Sequence, residues 1–258
     1  MKSIWITALA KEQVSVMAIT GTASQYGLAA DGHFWTDDLG KMAWLGIREK
    51  LTDKNISLWV IAGKAEDLTP EVRYGLTLLS LTIRMERPDL SLLWVDTEDD
   101  KDKSDNSMLP TVFAGVPRIG ITSNLLGAKL AAGANTAAKP SATEYRLSVH
   151  ANPGFGVWFE VGPVTPQEWS GAMLAVAGGE IKAHGVGPSG TLPEKCVLEY
   201  PLRGMELSLG EKKYTGWAVA NKMTGDSSYF VKVDGVPSGL LFGPLAEGDE
   251  VELYRVDM

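Results

Sequence analysis

Short continuous apolar runs alternate with amphipathic segments in the first half of the chain. Three of these runs, residues 3–8 (SIWITA), 56–62 (ISLWVIA) and 90–95 (LSLLWV), have the length of strands that are buried on both faces. Residues 69–71 (TPE) have the pattern of a helix start, in which a capping hydroxyl precedes proline at the first helical position. Strand, helix and strand at this spacing predict a parallel crossover in a doubly wound α/β sheet.

Two local signals set the expected helix boundaries in this half. Residues 36–38 (TDD) predict a second helix start, because a capping hydroxyl is followed by two carboxylates near the positive end of the helix dipole. Apolar residues then continue at roughly helical spacing as far as Leu51. Pro88 disfavours helical geometry at Arg87, so the helix that starts near residue 69 should end there.

The second half of the chain changes to a period of two. Alternation of apolar and polar residues over 145–149 and 155–161 predicts half-buried strands. Residues 165–177 are compatible with a short helix. Strands at roughly ten-residue spacing, separated by Gly and Pro turns, indicate a β-barrel or a β-sandwich. The further strand candidates are residues 196–200, 205–209, 214–220, 228–233, 240–242 and 251–256.

Composition places a boundary between the two halves. Residues 1–139 hold 11 of the 28 glycines and 4 of the 13 prolines, although they are more than half of the chain. Residues 134–143 (ANTAAKPSAT) are small, polar and interrupted by proline, as linkers commonly are. We therefore predict a truncated Rossmann-like, mainly parallel α/β domain over residues 1–135 and a β-rich barrel or sandwich domain over residues 140–258.

Charge and cysteine content exclude several classes of partner and location. The net charge of -8 and the absence of a basic cluster disfavour nucleic acid and anionic membrane surfaces. The apolar run at the N-terminus stops at Lys11 and Glu12 before it reaches the form of a signal peptide, and residues 13–30 are too polar for a membrane span. Cys196 is the single cysteine, so no internal disulfide can form. We expect a cytoplasmic protein in which Cys196 is a buried structural thiol.

The usual catalytic and cofactor motifs are missing from the sequence. No G-x-G-x-x-G follows a predicted strand, no tyrosine has a lysine four positions later, and Ser189 lacks the G-x-S-x-G spacing of a nucleophile elbow. The potential metal ligands His33, His150, His184 and Cys196 are scattered along the chain. The sequence therefore predicts no catalytic residue, no cofactor and no metal site.

One position remains where a ligand site would be expected. In parallel α/β sheets, ligands bind beyond the carboxyl ends of the strands. Gly63 and Lys64 end one predicted strand, and Asp96, Thr97 and Glu98 end the next, so these five residues are the candidate ligand-binding residues. The acidic run 96–106 that begins there lacks the glycine and the closing glutamate of an EF-hand, and a solvated loop is expected.

About 40 residues, from Leu58 to Glu98, resemble the structural, non-catalytic half of the ketoreductase regions of polyketide synthases. The similarity lies in LWVIAG (58–63), LTIRMERPDL (81–90) and LLWVD (92–96), which occur in that family's order and spacing. The chain departs from the family at Leu78-Leu79 and at Leu81, where the family commonly has Gly-Leu and arginine. Residues 143–163 are faintly similar to the start of an enoyl-reductase substrate domain.

The resemblance implies a non-catalytic structural or docking module, such as a degenerate reductase region of a polyketide or fatty-acid type synthase. It implies synthase domains or an acyl carrier protein as partners, and it supplies no catalytic residue. An unrelated α/β domain with a similar crossover is the competing interpretation. A small-molecule-binding protein or an unorthodox enzyme with a site between the two domains is the alternative function. The sequence does not indicate an oligomeric state.

Overall fold

The computed structural model describes residues 1–98, 109–139, 143–245 and 252–258. It divides the chain into two compact units, Met1–Pro140 and Ser141–Met258, and each unit contains one sheet. In the part of the chain that the model describes, no helix combines the length and the apolarity that crossing a membrane requires.

The sheet of the first unit is entirely parallel, which confirms the predicted α/β class. Its strand order is β2-β1-β3-β4-β5, one of the common doubly wound orders. The runs 3–8, 56–62 and 90–95 correspond to β1, β3 and β4. The strands are β1 (Ser3–Ala8), β2 (Ala29–Phe34), β3 (Ile56–Gly63), β4 (Ser91–Asp96) and β5 (Arg118–Gly120).

Over residues 1–98 and 109–139, four α-helices accompany this sheet: α1 (Gln13–Gln25), α2 (Leu45–Leu51), α3 (Pro70–Glu86) and α4 (Leu126–Asn135). α1 and α4 cover one face, because Ile19 of α1 and Leu130 of α4 belong to the same apolar core as alternate residues of β1, β3 and β4. The intervening strand residues point to the opposite face. There Trp59 and Trp94 contact Phe113, which lies in a short 3-10 helix at Thr111–Phe113.

The boundaries predicted for α3 are confirmed. The Thr69 hydroxyl accepts a hydrogen bond from the Val72 amide at 3.3 Å, and Pro70 is the first helical residue. The helix ends at Arg87, whose φ of -136° is not helical. The Arg87 side chain donates to the Asp53 carbonyl at 2.8 Å, so the end of α3 is tied to the segment that leads into β3.

The helix start predicted at residues 36–38 is wrong. The Asp38 carboxylate accepts a hydrogen bond from the Lys41 amide at 3.0 Å, which closes a local turn instead of capping a helix. Met42 then has a φ of 51°, a left-handed conformation that interrupts helical propagation. α2 therefore begins only at Leu45.

The sheet of the second unit is entirely antiparallel, which confirms a β-rich second half. Its hydrogen-bonded order is β6-β7-β11-β8-β10-β9, with β12 also pairing with β11. Over residues 143–245 and 252–258, no pairing joins β6 to β9, so the sheet is not a closed barrel there. The strands are β6 (Tyr145–Asn152), β7 (Gly156–Pro163), β8 (Ala172–Pro188), β9 (Leu202–Leu209), β10 (Lys212–Val219), β11 (Ser227–Pro244) and β12 (Tyr254–Asp257).

Several predictions for this unit are corrected by the two longest strands. Residues 172–177, read as compatible with a helix, form the first part of β8, because an apolar run buried on both faces has no period that separates strand from helix. The predicted strands 228–233 and 240–242 are one strand, β11, which continues past Gly235 at a φ of 89°. Both long strands pair with each other along most of their length.

The segment between β8 and β9 also differs from expectation. Residues 196–200, predicted as a strand, form an irregular loop. Cys196 lies in this loop and is exposed, so its prediction as a buried thiol is wrong. The loop is held by Asn221, whose side chain accepts from the Glu199 amide at 2.8 Å and donates to the Val197 carbonyl at 3.0 Å.

Candidate functional site

The candidate residues lie where adjacent parallel strands end. Gly63 is the last residue of β3, Asp96 is the last residue of β4, and the two are register partners. The Thr97 amide donates to the Gly63 carbonyl at 3.2 Å, which extends the pairing by one residue. The structure therefore brings the two predicted strand ends together at the carboxyl edge of the sheet.

Where the strand order reverses, the residue after β1 packs against the end of β3. In the order β2-β1-β3-β4-β5, the connections reverse direction between β1 and β3, and ligands of such sheets bind at that reversal. Leu9 follows β1, and its amide donates to the Ala62 carbonyl at 2.8 Å. A Cβ placed on Gly63 would lie 2.7 Å from Leu9 Cδ1, so the Leu9 side chain packs directly on the end of β3.

Lys64 is a cation surrounded by carboxylates. Its Nζ lies 3.6 Å from Glu66 Oε2, and its backbone amide donates to Asp67 Oδ2 at 2.9 Å. The negative charge of Glu66, with smaller contributions from Asp67, Glu12 and Glu98, raises the pKa of the Lys64 ammonium. The positive charge of Lys64 is thus already compensated by the protein, which makes this edge unfavourable for a phosphate group.

The Asp96 carboxylate is likewise occupied by internal contacts. Arg118 of β5 approaches both carboxylate oxygens, with Nε 3.3 Å from Oδ2 and a second contact from a terminal nitrogen to Oδ1. The Trp94 indole donates to Asp96 Oδ1 at 3.2 Å, and the Arg118 guanidinium lies 6.0 Å from the centre of the Trp94 ring. Asp96 therefore fixes β5 against β4.

Of the remaining residues at this edge, Glu98 is exposed. The acidic run continues into residues 99–106, which lie outside the described residues. Over the ranges that the structure describes, no three side chains of His, Cys, Asp or Glu are grouped closely enough to hold a metal ion. Among the residues of this edge that the structure describes, the contacts join the strand ends and neutralise charge, and they form no anion site.

A buried polar network in the second unit was not found from the sequence. Glu160 of β7 has a side chain that is only 2% exposed, and its Oε2 lies 2.6 Å from His150 Nε2 on β6. Its Oε1 accepts from the Ser228 hydroxyl at 2.7 Å and from the Gly190 amide at 2.8 Å. Arg146 donates to the Ser228 hydroxyl at 3.0 Å. The network connects β6, β7, β11 and the loop after β8.

The chemistry of this network follows from which group the serine contacts. The Ser228 hydroxyl donates to the Glu160 carboxylate, and its second partner is Arg146, so it is not paired with an imidazole base as an activated nucleophile would be. Burial would raise the pKa of Glu160, but the hydrogen bonds from His150, Gly190 and Ser228 outweigh that effect and hold the pKa below its usual range. The Glu160 carboxylate is therefore ionised, and both of its oxygens have hydrogen-bond partners.

The other two histidines lie in separate environments. His33 Nδ1 accepts a hydrogen bond from the Trp5 indole at 3.0 Å, and burial lowers the pKa of His33 to about 4. His184 Nδ1 lies 2.8 Å from the Tyr229 hydroxyl, and burial followed by the charge of Arg203 lowers the pKa of His184 to about 4. Both imidazoles are neutral at pH 7; His33 belongs to the first unit and His184 to the second.

No family model matches the chain. No curated protein matches it either. Among solved structures, a pilus assembly-related protein from Burkholderia pseudomallei is similar to this chain at 16% sequence identity and a TM-score of 0.36. The alignment covers 55% of this chain and 95% of that protein's chain. An overlap of this extent carries no functional argument.

Proposed function

We propose that the chain is a non-catalytic structural or docking module. The observation that carries the proposal is the pair of internal contacts at the carboxyl edge of the parallel sheet, where Leu9 packs on Gly63 and Arg118 occupies Asp96. A doubly wound sheet that bound a nucleotide would need open space and backbone amides at this position. Here the same position is used to hold the strands together.

The electrostatics of the edge support the same proposal. Nucleotides, acyl-CoA and sugar phosphates all carry phosphate groups, which favour clefts of positive potential. Lys64 is enclosed by the charges of Glu66, Asp67, Glu12 and Glu98. A phosphate that approached Lys64 would also approach these carboxylates, so its attraction to the lysine would be largely cancelled.

The partners and the finer fold assignment are part of this proposal. Association with domains of a polyketide or fatty-acid type synthase, or with an acyl carrier protein, rests on the sequence resemblance of residues 58–98. The strand order β2-β1-β3-β4-β5 supports a truncated Rossmann-like first domain, and the long paired strands β8 and β11 support a barrel-like or sandwich-like second domain. A cytoplasmic location is supported by the single cysteine.

A ligand screen tests the proposal. Thermal unfolding would be followed with nucleotides, acyl-CoAs and sugar phosphates, beside a pull-down with carrier-protein and reductase domains. We expect no ligand-dependent shift and specific retention of a synthase partner. A reproducible shift that disappears in Lys64→Met would show a working anion site at the sheet edge and would overturn the docking assignment. Lys139→Met, which changes an exposed lysine beyond α4, is the matched control.

A second candidate function, a small-molecule-binding protein or an unorthodox enzyme, is supported by the His150–Glu160 pair. A buried carboxylate that orients an imidazole is the arrangement that general bases require. In this case a ligand from the same screen would shift the unfolding temperature of the native chain and not that of His150→Gln. A shift that persists in His150→Gln would exclude this pair as the binding site.

A further inference from the structure

Helix α1 has apolar residues on both of its sides. Ile19 and Ala23 are buried against the sheet, while Val14 is 81% exposed and Met17 is 65% exposed on the opposite side. A helix at the surface of a globular domain normally has charged or polar residues on its outer face, whereas the outer side of α1 has two large apolar side chains and no charged residue. The outer side of α1 therefore has the character of a contact surface.

Helix α4 extends this surface. Leu125, which immediately precedes α4, is 61% exposed, and Ala128 and Ala132 are also exposed. The Tyr26 ring lies over the position where Gly127 lacks a side chain, so it bridges the two neighbouring helices while remaining 48% exposed. We call this surface the α1–α4 face; its residues are Val14, Met17, Ala18, Gly21, Tyr26, Leu125, Ala128 and Ala132.

The α1–α4 face is nearly free of charge in a strongly acidic chain. Residues 13–30 contain no charged residue and residues 119–138 contain only Lys129, whereas charged residues make up 22% of the whole sequence. With a net charge of -8, two copies of the chain repel each other in most orientations. None of the residues that define this face has a carboxylate, so contact through it adds little to this repulsion.

We propose that the α1–α4 face is the interface of a two-fold symmetric homodimer. In a two-fold interface the same surface is used by both partners, so it must be compatible with itself. A neutral apolar surface meets that condition, whereas a basic surface would instead fit an acidic partner. Ala18 and Gly21, on the outer side of α1, permit close approach of two helix backbones. The inference does not depend on the proposed synthase partners.

The size of the face sets the expected affinity. α1 has 13 residues and is therefore roughly 20 Å long, and two adjacent helices are roughly 20 Å wide, which gives a projected area of roughly 400 Å². Stable interfaces bury about 800 Å² of accessible surface on each partner. The face is about half of that size, so we expect a weak dimer that forms only at high protein concentration.

Sedimentation velocity of the full chain over about 1 to 500 μM tests the proposal. We expect the mass to rise from 27.8 kDa toward twice that value. Val14→Glu should weaken association at least tenfold, because each dimer would bury like charges. Val197→Glu is the matched control, since Val197 is also 81% exposed but lies in the loop before β9. Circular dichroism would show that both variants are folded.

A charge exchange at Met17 tests the two-fold arrangement. Met17→Glu and Met17→Lys should each be monomeric when alone, while an equimolar mixture should associate at least as well as the native chain. A native chain that stays at 27.8 kDa at every concentration would overturn the proposal. Association that Val14→Glu and Met17→Glu leave unchanged would equally overturn it, because the interface would then lie elsewhere.

Discussion

His150 Nε2 lies 2.6 Å from Glu160 Oε2, and the carboxylate that it contacts is almost completely buried. A buried charge is tolerated only when hydrogen bonds replace its hydration, and Glu160 receives them from His150, Ser228 and Gly190. These contacts join two neighbouring strands to a third strand and to a loop. The folding stability of the second unit should therefore depend on the negative charge of Glu160.

The first prediction concerns acid stability. The folded-state pKa of Glu160 lies below its ordinary value of 4.5. The stability that the ionised carboxylate contributes is therefore fully present above about pH 4.5 and is lost as the pH falls through the folded-state pKa. Glu160→Gln should lower the free energy of unfolding at pH 7 by about 2–4 kcal/mol. Below pH 4.5 that free energy should then fall less steeply in the variant than in the native chain. Urea denaturation at several pH values measures both effects. Glu206→Gln, at an exposed position, should change neither the free energy of unfolding at pH 7 nor its decline below pH 4.5. If Glu160→Gln lost stability below pH 4.5 as steeply as the native chain, the acid sensitivity would not come from Glu160.

The second prediction concerns a hydrogen bond inside the first unit. The Trp59 indole donates to the Thr7 hydroxyl at 2.9 Å, and both side chains are buried. Thr7→Val should cost about 1–3 kcal/mol of unfolding free energy, because the indole N–H loses its partner. Thr77→Val is the control, since the hydroxyl of the buried Thr77 donates only to the helix carbonyl of Arg73. In a double-mutant cycle with Trp59→Phe, strict additivity would refute the coupling.

The third prediction concerns Asp96 and Arg118, whose side chains are 23% and 17% exposed. We expect Asp96→Asn to lower the free energy of unfolding by about 1–2 kcal/mol, and Arg118→Lys to lower it as well, because lysine cannot reproduce the paired contacts. The exposed pair Lys222–Glu168 provides the comparison, and Glu168→Gln should cost less than about 0.5 kcal/mol. Similar losses at the two pairs would argue against a structural role for Asp96.

The fourth prediction concerns the loop that Asn221 holds. Tyr200 is 84% exposed and has a φ of 44°, a strained conformation for a residue with a side chain. Asn221→Ala removes two hydrogen bonds to this loop, so trypsin should cleave after the exposed Lys195 severalfold faster. Asn152→Ala removes a side-chain contact to Gly154 in the turn between β6 and β7 and should leave this cleavage rate unchanged. Cleavage at the native rate in Asn221→Ala would show that the strain, and not the hydrogen bonds, sets the loop's mobility.

Local signals sufficed where a residue acts on its own backbone neighbours. Thr69, Pro70 and Pro88 fixed the limits of α3 because capping and proline geometry operate within a few residues. The uncharged segment 13–30 gave no comparable signal, although it contains α1 and the start of β2. The polar and apolar residues of α1 are not separated onto opposite sides, so its sequence lacks the period by which a surface helix is identified.

The candidate site shows the same limit. The sequence correctly located Gly63 and Asp96 at strand ends, but it did not indicate that Leu9 would pack on Gly63 or that Arg118 would pair with the Asp96 carboxylate. His150 and Glu160 are ten positions apart and meet only because β6 and β7 pair in the register that places Ser148 opposite Glu160. Contacts of this kind depend on strand pairing, which neighbouring residues do not encode.

Hydrophobic period, helix caps and proline act locally, so they were enough to predict a parallel α/β first half, a β-rich second half and the boundaries of α3. The structure was needed to show that residues 172–188 are a strand, that 227–244 are one strand, and that Leu9 and Arg118 contact the carboxyl ends of β3 and β4. Those outcomes depend on which distant segments pair and on what remains to be buried when they do. Long-range packing therefore decided the state of the candidate site, while local chemistry decided where it lies along the chain.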